Sequence, residues 1–200
     1  MCIRDRFNTL NSISALVRSH PETAETMIAR LSDMFRRALE STSTQEIPLR
    51  QELEFLQLYL DIEQARFEER LKVEFNIDPA ALEALVPNMI LQPLVENAIR
   101  HGIANKVANG KIGISAKRRG SDLLLKVSDN GMGLSPSGVL TIKQGVGLTS
   151  TKGRLERLYG SGQALQLEAP ETGGFVARIV VPFTTAKTRS SVGKDENPDR

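Results

Sequence analysis

The stretch from residue 96 to residue 148 decides the fold, because three short segments follow one another within it. They read Glu-Asn-Ala-Ile-Arg-His at 96–101, Asp-Asn-Gly-Met-Gly at 129–133 and Gly-Val-Gly-Leu at 145–148. The first lies on a predicted helix, the second ends a predicted strand, and the third opens another helix. Their order indicates a mixed α/β domain with polar or glycine-rich segments at the ends of its elements.

The first segment places polar side chains on one face of its helix. Asn97, Arg100 and His101 stand at positions i, i+3 and i+4, which are neighbours on an α-helix. The oxygen of Asn97 suits Mg²⁺, a cation that keeps several waters and bridges phosphates, and the other two side chains can reach phosphate oxygens. A solvated face of an amphipathic helix explains the same pattern, and this segment alone favours that simpler interpretation.

The other two segments combine an acid with glycines. Ionised Asp129 only accepts hydrogen bonds and can bind an exocyclic amine such as that of adenine, while Gly131 and Gly133 let the backbone turn sharply. Gly145 and Gly147 precede a helix whose first amides suit phosphate. Ordinary turns explain each segment equally well. Neither a P-loop lysine nor a complete Gly-x-Gly-x-x-Gly dinucleotide motif is present.

Composition bounds the remaining possibilities. The chain has 200 residues, of which 40% are hydrophobic and 25% charged, and its net charge of +2 gives no sign of a nucleic-acid partner. The single cysteine, Cys2, excludes an intrachain disulfide. No signal-peptide pattern and no apolar run of about 18 residues occurs in the sequence.

The N-terminal quarter predicts two helices. Helical apolar spacing covers residues 7–17 and 27–39 and is interrupted at 19–21, so we expect an antiparallel hairpin in which His20 is a loop residue. About 35 residues cannot bury both apolar stripes unaided. A second copy of the chain is the simplest partner, and packing on the rest of the same chain is the alternative.

The rest of the chain predicts helices at 50–67, 88–101 and 148–159. Apolar and polar residues alternate in strands that contain residues 71–77, 112–116, 123–127, 165–167 and 175–181. Such alternation favours a sheet with helices on one face and water on the other, which is a two-layer α/β sandwich rather than a doubly wound sheet. Residues 135–143 predict a mobile loop, and the polar chain after Phe183 predicts a disordered tail.

Taken together, the three segments resemble the N box and the two glycine boxes of the GHKL (Bergerat) ATP-binding fold. Histidine kinases, gyrase-type ATPases, Hsp90 and mismatch-repair ATPases share that fold. The stretches IPLRQELEFLQLYLDIEQARFEERL at 47–71, LQPLVENAIRHGI at 91–103 and GVGLTSTKGRLERLYG at 145–160 resemble LytS-type sensor histidine kinases more narrowly. The resemblance runs from about Phe7 to Pro182.

This resemblance implies four regions. Residues 1–6 do not match, 7–45 form most of a dimerisation and phosphotransfer hairpin, 46–183 form the catalytic ATP-binding domain, and 184–200 are a tail. It further implies ATP and Mg²⁺ as cofactors, a homodimer formed through residues 7–45, and relay of the phosphoryl group from a histidine to a response-regulator aspartate, with LytTR regulators as the plausible type. This part is then cytoplasmic, and upstream segments anchor the intact protein in the inner (cytoplasmic) membrane.

The resemblance also assigns roles to residues. Asn97 binds Mg²⁺, and Asp129 reads adenine in a pocket lined by Gly131 and Gly133. Residues 134–144 form an ATP lid that closes on the phosphates. The residues implied at the phosphates are Gly145, Gly147, Leu148, Arg100 and His101.

The catalytic acid and the phosphoacceptor depart from the family pattern. Glu96 is a candidate polarising acid, but gyrase-type relatives carry theirs one turn earlier, where this chain has Pro93. The family motif resembles Pro-His-Phe-Leu-Phe-Asn-Thr-Leu-Asn, and Arg4 stands at the histidine. We therefore expect a chain cut from a longer kinase that binds ATP without its own target histidine. Smaller departures are Ser150, often Asn, and Phe175, often Thr. A GHKL-fold ATPase and a non-catalytic dimeric scaffold are the alternatives.

Overall fold

The computed structural model describes residues 13–14, 16–18, 20–40, 45–67, 70–103, 109–131, 146–170 and 173–186. The predicted lid at 134–144, Gly133, Gly145, the position of Arg4 and the tail beyond 186 lie outside these residues. Two long helices open the described chain, α1 at Pro21–Glu40 and α2 at Leu49–Phe67. Proline is well placed at the start of α1, because the first N–H of a helix has no intrahelical partner.

Helix α1 packs mainly against α2 and buries Ala24, Met27 and Leu31. Residues 13–14 and 16–18 are helical as well, and they join α1 through His20, whose N–H donates to Leu16 and whose carbonyl accepts from Ala24. The sequence paired the stripe at 27–39 with residues 7–17. Most of residues 7–17 lie outside the described residues, so this hairpin stays a prediction. The contact of α1 with α2 agrees with the alternative, packing on the rest of the same chain.

The strands form one five-stranded sheet and one two-stranded ribbon. The strands are β1 at Glu46–Pro48, β2 at Leu71–Ile77, β3 at Leu85–Pro87, β4 at Gly110–Arg119, β5 at Asp122–Asp129, β6 at Ala164–Glu168 and β7 at Phe175–Pro182. The five-stranded sheet has the order β2-β4-β5-β7-β6, with β2 parallel to β4 and the other pairs antiparallel. Strands β1 and β3 pair antiparallel as a separate ribbon.

Helices cover one face of the large sheet, as the strand alternation predicted. On β4, Ile112, Ile114 and Ala116 are buried, while Lys111 before them and Lys117 after them are exposed. The buried positions of β5 and β7 lie in register with this row, for example Ile114 opposite Val127. The two-layer α/β sandwich preceded by helices is therefore confirmed.

Two elements of the helical layer carry the first and third sequence segments. Helix α3 spans Gln92–Asn97 and continues as a π-helical turn, Ala98–Ile103, and α4 spans Val146–Tyr159. The sequence predicted α3 from about residue 88, and this start is wrong. Met89 has a left-handed backbone with φ of 57°, which an α-helix does not admit.

The C-terminal boundary also needs correction. Thr184 and Thr185, which the sequence placed in the tail, are ordered, because the carbonyl of Thr184 accepts the N–H of Leu85 and Thr185 pairs with Ala84. The folded part of the chain therefore extends past residue 183, at least to Thr185.

Candidate functional site

The first segment lies on α3, where packing fixes the direction of Asn97. Its helix neighbours Leu94, Val95 and Ala98 are buried, and Asn97 itself is half-buried. Within the part of the chain that the structure describes, the Asn97 side chain makes no hydrogen bond. A half-buried side-chain amide offers both a donor and an acceptor, which fits a ligand-binding role.

The π-helical turn changes the geometry expected for the rest of this segment. Hydrogen bonds in a π-helix run from i+5 to i, so each turn holds more residues than in an α-helix and the i, i+3 relation no longer marks one face. Arg100 is exposed, in contrast to Asn97, and the side chain of His101 lies outside the described residues. Roles for Arg100 and His101 at phosphate therefore remain predictions.

Glu96 has a local partner. Its Oε1 accepts a hydrogen bond from Nε2 of Gln92 over 2.8 Å, and the carboxylate is half-buried. This contact holds Glu96 along its own helix, one turn from Gln92. A polarising role for Glu96 stays a prediction.

The π-helical turn brings the first segment against the second. Gly102, in that turn, is buried beside Asp129 at the end of β5, and a Cβ at position 102 would collide with the Asp129 carboxylate. Only glycine fits such an approach. The sequence analysis missed Gly102, although a glycine just after a predicted helix end is a signal that marks a special backbone position.

Hydrogen bonds fix the turn that follows Asp129. The Asp129 Oδ1 atom accepts the N–H of Gly131 over 2.7 Å. Asn130 spans back to β4, with its Oδ1 accepting from Lys111 N–H and its Nδ2 donating to the Asn109 carbonyl, both over 2.8 Å. These hydrogen bonds thus fix the Asp-Asn-Gly turn at the end of β5.

Two further glycines complete the surroundings of Asp129. A Cβ on Gly131 would collide with the backbone of Gly102, and a Cβ on Gly174 would collide with the carbonyl of Asp129. The N–H of Gly174 also donates to the Gly131 carbonyl over 3.1 Å. Three backbone segments therefore meet at Asp129, with Gly102 and Gly131 against its carboxylate and Gly174 against its carbonyl. We call this the Asp129 junction (Gly102, Asp129, Gly131 and Gly174).

The third segment reaches the same side of the fold through α4. Gly147 lies in the first turn of α4, and a Cβ there would sit 3.5 Å from Cβ of Pro93 on α3. Leu148 is buried, and the hydroxyl of Thr151 donates to the Gly147 carbonyl over 2.9 Å. The start of α4 and the helix that carries Asn97 are therefore in contact.

A buried polar group that the sequence analysis did not single out lies beneath α3. Glu52 on α2 is 1% exposed, and its carboxylate accepts the N–H groups of Met89 over 2.7 Å and Leu91 over 2.8 Å. Burial raises the pKa of Glu52 from 4.5 to about 7, against the opposing effects of these hydrogen bonds and of Arg154. Arg154 on α4 donates to the Met89 carbonyl over 3.1 Å, and burial lowers its pKa.

Two family models match this chain. The profile described as "Histidine kinase" matches residues 6–71, and that described as "Histidine kinase-, DNA gyrase B-, and HSP90-like ATPase" matches residues 84–185, which contain the Asp129 junction and α3. The chain belongs to the histidine kinases of this ATPase family. Family membership implies ATP binding by the domain.

Similar curated proteins are sensor kinases. The sensor protein LytS of Staphylococcus epidermidis is 34% identical over 191 residues, which is 90% of this chain and 32% of that protein. LytS of Enterococcus faecalis is 35% identical over 88% of this chain and 32% of its own length. The sensor histidine kinase BtsS of Escherichia coli is 35% identical over 80% of this chain and 28% of its own length. The kinase-family chain thus spans about a third of these relatives.

Solved structures agree on the fold. The histidine kinase domain of the blue-light activated kinase from Erythrobacter litoralis EL346 aligns with a TM-score of 0.55 at 15% identity, covering 90% of this chain and 84% of that one. The Acinetobacter baumannii histidine kinase AdeS gives 0.54 at 15% identity, with 84% and 83% covered. Among the described helices, none is both long and apolar enough to cross a membrane.

Proposed function

We propose that this chain is the ATP-binding and phosphoryl-transfer part of a two-component sensor kinase. The observation that carries the proposal is the Asp129 junction at the end of β5, where Gly102 and Gly131 lie against the Asp129 carboxylate and the N–H of Gly131 donates to it. An ionised carboxylate held in a fixed direction is a selective acceptor for the exocyclic amine of adenine. In this proposal Gly131 and Gly133 line the adenine pocket.

Asn97 holds the metal in this proposal. The described residues contain no group of three His, Cys, Asp or Glu side chains that could hold a metal ion. Mg²⁺ suits a site with one protein oxygen, because it completes its shell with phosphate oxygens and water. When bound, it neutralises phosphate charge, while the half-buried Asn97 amide orients it.

Residues near the start of α4 and on the π-helical turn complete the phosphate site. The lid at 134–144 leads into α4, so Gly145, Gly147 and Leu148 close over the phosphates with the amides at the helix start as anion donors. Arg100 and His101 supply positive charge and hydrogen-bond donors near them. Glu96 is the remaining candidate acid of the site.

In the intact protein, the phosphoryl group would pass from ATP to a histidine and then to an aspartate of a response regulator, for which the LytTR type is proposed. Position 4 of this chain is Arg4, and a guanidinium cannot replace the imidazole as acceptor. We therefore propose ATP binding without self-phosphorylation at this position. The location follows the same proposal: a cytoplasmic part, with the intact protein anchored in the membrane.

Calorimetry of the full chain with Mg-ATP tests the adenine site. Asp129→Asn keeps the shape but turns half of the acceptor into a donor, and we expect affinity to fall roughly 10- to 100-fold, as for loss of a hydrogen bond to a charged group. Asp122→Asn, at the exposed far end of the same strand, is the matched control and leaves affinity unchanged. Equal affinity of the Asp129 variant and the parent would refute the adenine role.

Phosphorylation assays separate the kinase from its two rivals. Arg4→His, with the upstream sequence restored, is expected to gain acid-labile phosphorylation at position 4 when incubated with Mg-ATP. ATP hydrolysis without that label identifies a GHKL-fold ATPase. Dimerisation without any ATP binding identifies a scaffold.

A further inference from the structure

The turn that leads into α3 has an unusual backbone. Met89 adopts φ of 57°, in the left-handed region that side chains other than glycine, asparagine and aspartate seldom enter. The other such residue with a side chain in the described chain is Asn109, a type that tolerates this conformation. A strained residue persists only where its surroundings hold it, and such residues concentrate at functional sites.

Two charged side chains, the buried Glu52 and the half-buried Arg154, hold the Met89 turn, residues 88–91. From α2, the Glu52 carboxylate accepts the N–H groups on both sides of residue 90, those of Met89 and Leu91. From α4, Arg154 donates to the Met89 carbonyl. Glu52 on α2 therefore accepts the N–H of Met89, and Arg154 on α4 donates to its C=O.

The elements that meet at this turn are the ones that shape the proposed site. The Met89 turn ends at Leu91, whose carbonyl accepts the N–H groups of Leu94 and Val95 and so begins the helix that carries Asn97. Arg154 belongs to α4, the helix that follows the proposed lid. A second contact ties α4 to the same region, since the hydroxyl of Tyr159 donates to Glu46 on β1 over 2.6 Å.

Packing alone does not account for these two residues. Burying a carboxylate and a guanidinium costs free energy that the pairing only partly offsets. The Nε atom of Arg154 is buried and has no hydrogen-bond partner among the described residues. Both residues instead direct hydrogen bonds to one backbone turn. Burial raises the pKa of Glu52, although its hydrogen bonds to the turn lower it.

We propose that Glu52 and Arg154 are positioning residues for the ATP site, because together they hold the left-handed Met89 turn and so set where the Asn97 helix begins. Neither side chain touches nucleotide in this proposal. The effect on ATP rests on the proposed function, whereas the effect on the turn does not. Loss of the hydrogen bonds from either side chain lets Met89 leave the left-handed conformation and moves Asn97 relative to Asp129.

A double-mutant cycle tests whether Glu52 acts through Met89. Glu52→Gln retains the shape but replaces one acceptor by an amide donor, which faces an N–H of the turn. We expect Mg-ATP affinity of the full chain to fall about tenfold. Glycine adopts the left-handed region freely, so in a Met89→Gly background the same change is expected to cost less than about threefold.

Matched variants control for charge and for the helix. Glu74→Gln changes an exposed carboxylate on β2, and Arg157→Met changes an exposed arginine on α4 one turn after Arg154. Both are expected to bind Mg-ATP like the parent, while Arg154→Met is expected to lower affinity as Glu52→Gln does. An equal cost of Glu52→Gln with Met89 and with glycine at that position would overturn the positioning role.

Hydrogen exchange without nucleotide separates this inference from the proposed function. The amide of Leu91 is bonded to Glu52, so Glu52→Gln is expected to speed its exchange at least tenfold, and Met89→Gly is expected to restore part of the protection. If the parent fails to bind Mg-ATP but the variants show these changes in exchange, the ATP assignment is wrong and the role of Glu52 in holding the turn stands. Unchanged exchange at Leu91 in a folded Glu52→Gln chain contradicts the role directly.

Discussion

At the scale of single residues, Asn97 is presented from a fixed position, because buried neighbours on α3 leave the helix no freedom to rotate. We predict that Asn97→Ala lowers the affinity for ATP about tenfold when Mg²⁺ is present and changes it little when the metal is chelated, since the amide acts through the metal. Titrations with and without a chelator measure the difference. Asn76→Ala, on the exposed side of β2, is the control, and an equal loss with and without metal would contradict the role.

Gly102 gives a second prediction at this scale. Gly102→Ala forces a methyl group into the Asp129 carboxylate, so we expect the free energy of unfolding to fall by about 2 kcal/mol and ATP affinity to fall with it. Gly153→Ala on α4 is the matched control, because no atom lies within 4 Å of its added Cβ. That change is expected to stabilise the chain by roughly 0.5–1 kcal/mol in urea unfolding. Similar stabilities of the two variants would argue against the close approach.

Sequence reasoning reached the residues whose chemistry is local and missed those whose role depends on distant contacts. Asp129 was recognisable because an acid at a strand end before spaced glycines has a chemical meaning of its own. Gly102 and Gly174 were not, since each is needed only where another segment comes near. Glu52 stood in the quoted stretch 47–71 but looked like one polar residue of an amphipathic helix, and only its burial distinguishes it.

At the scale of elements, the strands could be predicted and the start of α3 could not. Alternation on β4 depends on its own pleat and one buried face, so the pattern determines it. The predicted helix from residue 88 failed because Met89 is held in a left-handed conformation by side chains 37 and 65 residues away. The π-helical turn is equally invisible to a period of 3.6 residues.

The packing of α2 beneath this turn predicts a pH effect on stability. Burial raises the pKa of Glu52 from 4.5 to about 7, so between these values the folded chain keeps a proton that the unfolded chain has lost. The contribution of Glu52 to the free energy of unfolding therefore falls as pH rises from about 4.5 to about 7, by on the order of 3 kcal/mol, and is level above. Arg154 is the charged group that opposes the rise in pKa.

Urea unfolding at several pH values between 5 and 8 measures this slope. Glu52→Gln cannot titrate, so its curve is expected to lack the decline that the parent shows, and the Glu74→Gln control is expected to keep it. Parallel curves for the parent and Glu52→Gln would show that the buried carboxyl does not change protonation in this range.

At the scale of the whole molecule, the N-terminal helices leave apolar side chains exposed. Val17 is 51% and Ile28 is 49% exposed, although other apolar residues of α1 are buried against α2. A second copy of the chain would cover them, which supports the proposed homodimer. We predict that Ile28→Asp weakens self-association at least tenfold in sedimentation velocity. Phe75→Asp, an exposed apolar residue on the edge strand β2, is the control, and an equal effect of both changes would point to nonspecific association.

The short ribbon strand β3 has a consequence for the shape of the catalytic domain. One side of β3 pairs with β1 at the beginning of the domain, and Ala84 and Leu85 bond to Thr184 and Thr185 at its close. The two ends of this folded unit are therefore both hydrogen-bonded to the segment at β3 and lie close together. A circular permutant that joins them by a short linker and opens a surface loop elsewhere is therefore geometrically allowed.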